Sequence, residues 1–533
     1  MKPLLSRGFG MKVMTSLALS VCMGSGAVWA ADASSDTSAD NSAEASDQNH
    51  VTPHVGTTIH APRHGPAAAP GINVDISSFP QSEQQEINQG HALAVAGDCA
   101  ACHSLPHSSD DQMFAGGYAI SSPLGTIFSS NITPSKQYGI GNYTEEEFSR
   151  AVRDGVRRDG ANLYPAMPYT SYAGITDEDM HHLYVYFMRG VKPVEKPSPE
   201  TQLPFPFSIR ASMKAWNMLY LDQKPFENDP DQSEEWNRGA YLVGPLEHCS
   251  ACHTPRNVMM AEKVGDHYLA GGSVGSWYAP NITSDEVSGI GSWSNDQIVQ
   301  YLKTGHVPGK AQAGGGMAEA VEHSLQYLPD SDLQAIAVYL KSTHPIRTSD
   351  EEKARFDYER SQTEGLEDEL RGKHPQNSNH TMDSGAALYS GYCASCHQPD
   401  GSGSKNQAYP SLFNNSVTGA DNANNLVSVI LEGVDRNADG HHVLMPAFGQ
   451  NSYVDELNDT QIASIANYVT KTFGNPDVQV TPEQVAQLRA GGPKPLMAQM
   501  QPYMLPLMII GAIVVVLLIV LVVVKVKRRK KRA

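Results

Sequence analysis

The stretch Gly97-Asp-Cys-Ala-Ala-Cys-His103 decides how this chain is read. Two cysteines separated by two residues can bind zinc, exchange disulfides or anchor a prosthetic group, and the histidine that follows narrows the choice. The pattern occurs three times: Cys99-Ala-Ala-Cys102-His103, Cys249-Ser-Ala-Cys252-His253 and Cys393-Ala-Ser-Cys396-His397. Of the seven cysteines, Cys22 alone stands outside these pairs. Six cysteines in an exported protein ordinarily read as a disulfide framework, but a disulfide has no use for an adjacent imidazole.

Attachment of c-type haem needs two thiols to add to the two vinyl groups and an imidazole beside them to bind iron. CxxCH supplies all three within one turn. Zinc needs four ligands where each unit offers three, and a thioredoxin-like site needs a βαβ setting that these helix-and-loop patterns lack. Those two remain the rival readings; the expectation is three covalently bound haem c groups.

An internal repeat surrounds the motifs. Cys99 and Cys249 are 150 residues apart, and so are Asn131-Ile-Thr133 and Asn281-Ile-Thr283, Gly139-Ile-Gly141 and Gly289-Ile-Gly291, and Met167 and Met317. Each unit opens on a short helical pattern near a glycine (Gly90, Gly239, Gly385) and closes on an amphipathic one. There Met180, Leu183 and Phe187 recur as Leu333, Ile336 and Leu340, then as Ile462, Ile465 and Val469, at i, i+3, i+7 spacing. Thr176 with Asp179, and Asn458 with Gln461, read as helix N-terminal caps.

A closed, low-spin haem takes Met or His on its second axial side. Met167, in Tyr164-Pro-Ala-Met-Pro-Tyr169, and Met317, in Gly314-Gly-Gly-Met317, each follow their histidine by 64 residues. Met445, in Leu444-Met-Pro-Ala-Phe448, follows His397 by 48. Recurrence and flanking Pro or Gly favour axial ligands in loops over core filler. His306 and His323 are rivals to Met317.

Both ends point to export and tethering. Lys2, Arg7 and Lys12 followed by an apolar or small run to Val28-Trp-Ala30 read as a cleaved signal peptide, with an uncleaved anchor as the alternative. Met504 to Val524 carries no charge over 21 residues, which as a helix spans ~31 Å, one hydrocarbon core. Seven basic residues then follow, from Lys525 to Arg532, and such clusters stay on the cytoplasmic side. Without the basic residues of the signal and tail, 29 basic residues face 57 acidic ones, a balance of −28. This surface argues against binding nucleic acid or anionic lipid heads and is compatible with a basic protein partner. Neither Gly-Ile-Gly element completes a dinucleotide fingerprint, and no catalytic substrate domain is visible. The Asn-Ile-Thr triplets match glycosylation sequons, but their shared place in the repeat points to a structural role.

Three CxxCH units, the repeated Asn-Ile-Thr and Gly-Ile-Gly elements, Tyr164-Pro-Ala-Met-Pro-Tyr169 and a C-terminal anchor resemble the tri-haem cytochrome c subunits of bacterial membrane-bound dehydrogenases. Ala115-Gly-Gly-Tyr-Ala-Ile-Ser-Ser-Pro123, Gln202-Leu-Pro-Phe-Pro-Phe-Ser-Ile-Arg210 and His323-Ser-Leu-Gln-Tyr-Leu-Pro329 look most like the flavin-dependent fructose dehydrogenase branch. The resemblance implies a mainly α fold: three tandem class I cytochrome c domains plus one C-terminal transmembrane helix. It makes His103, His253 and His397 proximal iron ligands, Met167, Met317 and Met445 distal ones, and Cys99, Cys102, Cys249, Cys252, Cys393 and Cys396 thioether anchors. The expected organisation is a signal peptide over 1–30, a disordered arm over 31–81, and cytochrome domains over 82–195, 236–345 and 381–478. Linkers fill 196–235, where the apolar Leu203 to Tyr220 segment should pack across an interface or against a partner, and 346–380, where polar composition gives less reason to pack. A juxtamembrane segment follows over 479–503, then the membrane helix over 504–524 and a basic tail over 525–533.

The implied role is transfer of electrons from the flavoprotein or quinoprotein catalytic subunit of a periplasmic sugar, polyol or alcohol dehydrogenase to ubiquinone. There is room for a small third subunit, and catalysis sits on the partner. The implied location is the bacterial inner membrane, single-pass, with haem domains in the periplasm and the C-terminus in the cytoplasm. A subunit serving a PQQ-dependent alcohol or molybdenum-type aldehyde dehydrogenase, and a free-standing carrier feeding a terminal oxidase, are the alternatives. A haem enzyme working at an open iron would need at least one haem without Met.

Overall fold

The computed structural model describes residues 69–531 apart from 107, 349, 351, 362–376 and 378. The signal peptide, the arm as far as residue 68 and the last two residues of the tail lie outside that range. The described chain is mainly helical, with four two-stranded antiparallel hairpins.

The first stretch contains α1 (Gln81–Ala96), α2 (Cys99–His103), α3 (Glu145–Asp154), α4 (Tyr169–Tyr172) and α5 (Asp177–Val185), with the hairpin β1 (Ala119–Ser122) and β2 (Gly125–Phe128). After α6 (Ser212–Tyr220), the second comprises α7 (Glu234–Tyr241), α8 (Ser250–His253), α9 (Asn295–Thr304), α10 (Gly316–His323) and α11 (Asp330–Ser342). Its hairpins are β3 (Gly272–Val274) with β4 (Trp277–Ala279) and β5 (His306–Val307) with β6 (Ala311–Gln312). The third comprises α12 (Gly385–Tyr392), α13 (Ala394–His397), α14 (Asn424–Glu432), α15 (Asp459–Phe473) and α16 (Pro482–Arg489), with β7 (Val434–Ala438) paired to β8 (His441–Met445). Last comes α17 (Leu496–Lys530).

One crossing is built three times. In each stretch the first helix lies against the closing helix at a glycine so close that a Cβ there would collide with backbone. At Gly90 it would sit 2.0 Å from the His182 carbonyl, at Gly239 2.0 Å from that of Ala335, and at Gly385 2.2 Å from that of Ser464. An aromatic follows four residues later each time: Tyr186, Tyr339 and Tyr468. Only glycine permits this approach. The nine apolar positions expected on the closing helices are all buried. Thr176 caps α5 through the Asp179 amide, and Asn458 with Gln461 forms a reciprocal capping box on α15.

Two stretches pack differently from their composition. Residues 69–81 continue the expected arm, yet Ile72, Ile76 and Phe79 pack on the first core and the Tyr186 hydroxyl donates to the Gly71 carbonyl at 3.0 Å. These three side chains supply the apolar surface that the Ala/Ser/Asp composition lacks elsewhere. In the charged second linker, Ala354 and Phe356 are buried and the Lys310 ammonium stands 3.7 Å over the Phe356 ring. Beyond the third closing helix, Val480, Val485 and Leu488 join its core. The first two stretches share one continuous apolar core, whereas the third has its own.

Residues Leu496–Lys530 form one 35-residue helix whose apolar window has a mean hydropathy of 3.7 and is nowhere buried against the rest of the chain. Its length and composition suit a membrane crossing.

Candidate functional site

The short CxxCH helices place the three histidines in one arrangement. The Nδ1 of His103 lies 2.7 Å from the Ser130 carbonyl, that of His253 2.6 Å from the Pro280 carbonyl, and that of His397 2.9 Å from the Pro410 carbonyl. A carbonyl can only accept, so Nδ1 carries the proton and Nε2 keeps a free lone pair. A bond of this kind fixes tautomer and ring orientation in a metal-ligating histidine. The His103, His253 and His397 carbonyls accept in turn from the Gly116, Gly271 and Gly403 amides. Burial lowers all three imidazoles, His253 to about 4, so each ring is neutral at physiological pH.

Desolvation pushes the thiols of Cys99, Cys102 and Cys393 up to about 12, the opposite of the stabilised thiolate a redox or catalytic cysteine needs. None of the six motif cysteines is disulfide-bonded. Among the described residues no three His, Cys, Asp or Glu side chains converge to hold an ion, so the donor set does not suit zinc. Two thiols and one oriented, neutral imidazole suit a covalently held iron porphyrin. Arg355 adds a second sign of fit. It is half-buried beside His253, its Nε shielded from solvent without a partner and one Nη donating to the Asn281 carbonyl at 3.2 Å. Buried charge requires compensation, and the carboxylates of a porphyrin would supply it.

The loops that receive the histidines rest on the paired triplets. Asn131 is 3% and Asn281 2% exposed. Each takes bonds from Thr133 or Thr283 on its side-chain oxygen and donates to the segment after the closing helix, Asn131 to the Val194 and Lys196 carbonyls and Asn281 to that of Ile346. The Gly-Ile-Gly elements lie on the same loop. A Cβ at Gly139 or Gly289 would stand 2.1 or 2.2 Å from the carbonyl of Thr133 or Thr283. The two motifs are therefore halves of one backbone clamp, which the structural reading of the sequons anticipated and the separate reading of the glycines missed.

The methionines fall in three different local structures. Met167 lies in the loop before α4, packed with Tyr169 and Trp216. Met317 is not in a loop but at the second position of α10, because Gly315, with φ +52, turns the chain against the Trp277 ring. Met445 ends β8, opposite Val434, beside the core that Cys393 also borders. Both ring nitrogens of His306 are buried without a hydrogen-bond partner, and His323 ends α10.

The sites are neighbours. Helix α10 touches both α2 and β7, so the element carrying Met317 joins the first CxxCH helix to the hairpin of the third unit. The Tyr172 ring meets the His248 ring edge-on at 5.5 Å across the first seam. Glu247 is buried there, accepts from the Ser324 hydroxyl at 3.0 Å and is raised to about 8 by desolvation.

Helical units with an oriented CxxCH histidine define an electron-transferring c-type cytochrome. The cytochrome c family model matches residues 382–473. Over 461 residues, 85% of this chain and 93% of the relative, the chain is 50% identical to the fructose dehydrogenase cytochrome subunit of Gluconobacter japonicus. It is 39% identical to the cytochrome c subunit of the quinone alcohol dehydrogenase of Gluconacetobacter polyoxogenes, over 78% of this chain and 87% of that one. It is also 39% identical to the gluconate 2-dehydrogenase cytochrome c subunit of Pantoea cypripedii, over 77% and 90%. The chain belongs to this family, the cytochrome c subunits of dehydrogenase complexes.

Proposed function

We propose that the chain is a membrane-anchored, three-domain cytochrome c that carries electrons from the catalytic subunit of a periplasmic sugar, polyol or alcohol dehydrogenase to ubiquinone. The threefold recurrence of a CxxCH histidine whose Nδ1 donates to a carbonyl carries this reading. When bound, each haem would supply a one-electron iron couple. The chain's own residues would hold each haem: the six cysteines as anchors, the three imidazoles through Nε2, and Met167, Met317 and Met445 as second ligands. With both ligands so supplied no iron position would be left for a substrate, and oxidation would belong to a partner subunit. Helix α10, touching the first CxxCH helix and the third unit's hairpin, suits a relay rather than three isolated carriers. The quinone in the alcohol dehydrogenase relative's name supports the acceptor, and α17 with its basic end supports a periplasmic body and a cytoplasmic tail.

The test is purification in detergent from the native membrane, haem quantitation, and quinone reduction assayed with D-fructose first, then sorbitol, gluconate and simple alcohols. Three covalent haems, a co-purifying catalytic subunit and one active substrate are expected. Three haems with no partner and no activity would overturn the dehydrogenase assignment.

A further inference from the structure

The segment between the first two units presents two apolar faces. Inward, Trp216 is buried, its indole donates to the Met259 carbonyl at 2.9 Å, and its cluster includes Met167. Outward, Ala211, Ala215, Met218 and Leu219 follow helical spacing along α6 and its approach. Met218 is 82% and Leu219 71% exposed. Ile209 and Phe205, just before the helix, are exposed as well.

Three observations choose the occupant. First, Gln501 in α17 donates to the Phe205 carbonyl at 3.0 Å. Gln501 stands three residues before Met504, where the uncharged run begins, so Phe205 sits about 4.5 Å along the helix axis from the hydrocarbon edge. This is headgroup depth. Second, residues 202–224 carry Arg210, Lys214 and Lys224 against Asp222, a balance of +2 in a body whose balance is −28; Lys214 and Lys224 are exposed, whereas Arg210 is held at the Asn162 carbonyl over the Tyr164 ring. An acidic body is repelled by anionic lipid heads, and its basic patch turns toward them. Third, apolar side chains flanked by cations on a short helix are the chemistry of an in-plane interfacial element.

We propose that the outward face of α6, with Phe205 and Ile209, lies on the anionic lipid surface beside the anchor. The membrane-spanning role of α17 is the part of the functional reading on which this rests. The consequence is orientation: Met167 packs on the inward face of α6 and stands one helix away from lipid.

The full-length, haem-loaded protein is placed in nanodiscs of phosphatidylcholine and phosphatidylglycerol doped with a photoactivatable lipid, and adducts are mapped by mass spectrometry. Adducts are expected at residues 205–219 as well as on α17. In the Lys214→Glu/Leu219→Glu variant the linker adducts should vanish while those on α17 and the haem spectrum persist; these exposed side chains are not needed for folding. Adducts confined to α17 in the wild type overturn the proposal. If addition of the catalytic subunit then slows amide exchange in 205–219, the face belongs to a protein partner. Absence of adducts on 504–524 would instead remove the anchor reading itself, so the two failures are distinguishable.

Discussion

At the scale of single residues, the site is governed by groups that no local pattern announces. Glu247 is the clearest. Its carboxyl is raised from the usual range to about 8 by burial, with the Ser324 hydroxyl as partner and Asp332 adding repulsion. The folded state therefore holds a proton that the unfolded chain loses near its ordinary value of 4.5. Stability from this group is fully present below the unfolded value and is lost as pH rises through that window to about 8. Glu247→Gln should flatten the fall in melting temperature over that window and stabilise the protein at the alkaline end, by an amount on the order of a few kcal/mol. Melting curves of both proteins across the pH range check this. Arg355 makes the opposite case, a half-buried cation beside His253. Arg355→Leu should lower one haem midpoint potential by on the order of tens of millivolts, because a lost positive charge favours ferric iron. Redox titration followed in the visible bands reads it, and unchanged potentials would remove Arg355 from the site.

At the scale of elements, the repeated unit is a glycine-mediated helix crossing with a histidine loop hung from it. Helix α12 supplies a test within one element. Gly385→Ala drives a Cβ into the Ser464 carbonyl, whereas at Gly391 nothing lies within 4 Å. Gly385→Ala should cost about 1–3 kcal/mol or more by overpacking, and Gly391→Ala should be neutral or stabilising by up to about 1 kcal/mol through helix propensity. Haem content after expression and urea unfolding followed by helix circular dichroism compare the two. Much of this scale was legible beforehand. The repeat offset, the closing-helix stripe and the caps are local features, written in spacing and side-chain type. The placement of Met317 on a helix was not, because Gly315 starts that helix by turning against Trp277, a residue 38 positions away.

At the scale of the molecule, the third unit is locked to the second by a buried arginine. Arg436 is 1% exposed, donates to the Ala313 carbonyl at 2.6 Å and to Gln312 Oε1 at 3.0 Å, and reaches Gly305, where no Cβ would fit. Glu432 adds bonds to Ser276 and the Trp277 indole. Arg436→Ala should leave haem content unchanged yet loosen the third unit by about 2–3 kcal/mol, since partners of a buried cation are left unpaired. Faster proteolysis in the second linker, followed in the detergent-solubilised chain, is the expected readout. Gly492 meets the Gly275 carbonyl, and the Arg489 guanidinium lies 2.8 Å from Asp459, so the approach to α17 is fastened to two units before it leaves them.

The sequence by itself determined the CxxCH spacing, the repeat and the uncharged terminal run, because each is complete within a few adjacent residues or repeats at a set offset. One helical turn brings two thiols and an imidazole together whatever surrounds them, and 21 uncharged residues form a helix long enough to cross a bilayer on their own. Tertiary structure decided the rest. The carbonyls that orient His103 and His253 lie 27 residues along the chain, and that of His397 lies 13 along. The partners of Glu247, Arg355 and Arg436 come from other elements or other units. Burial and long-range contact set their charge states and positions, and neither quantity exists until the units have packed.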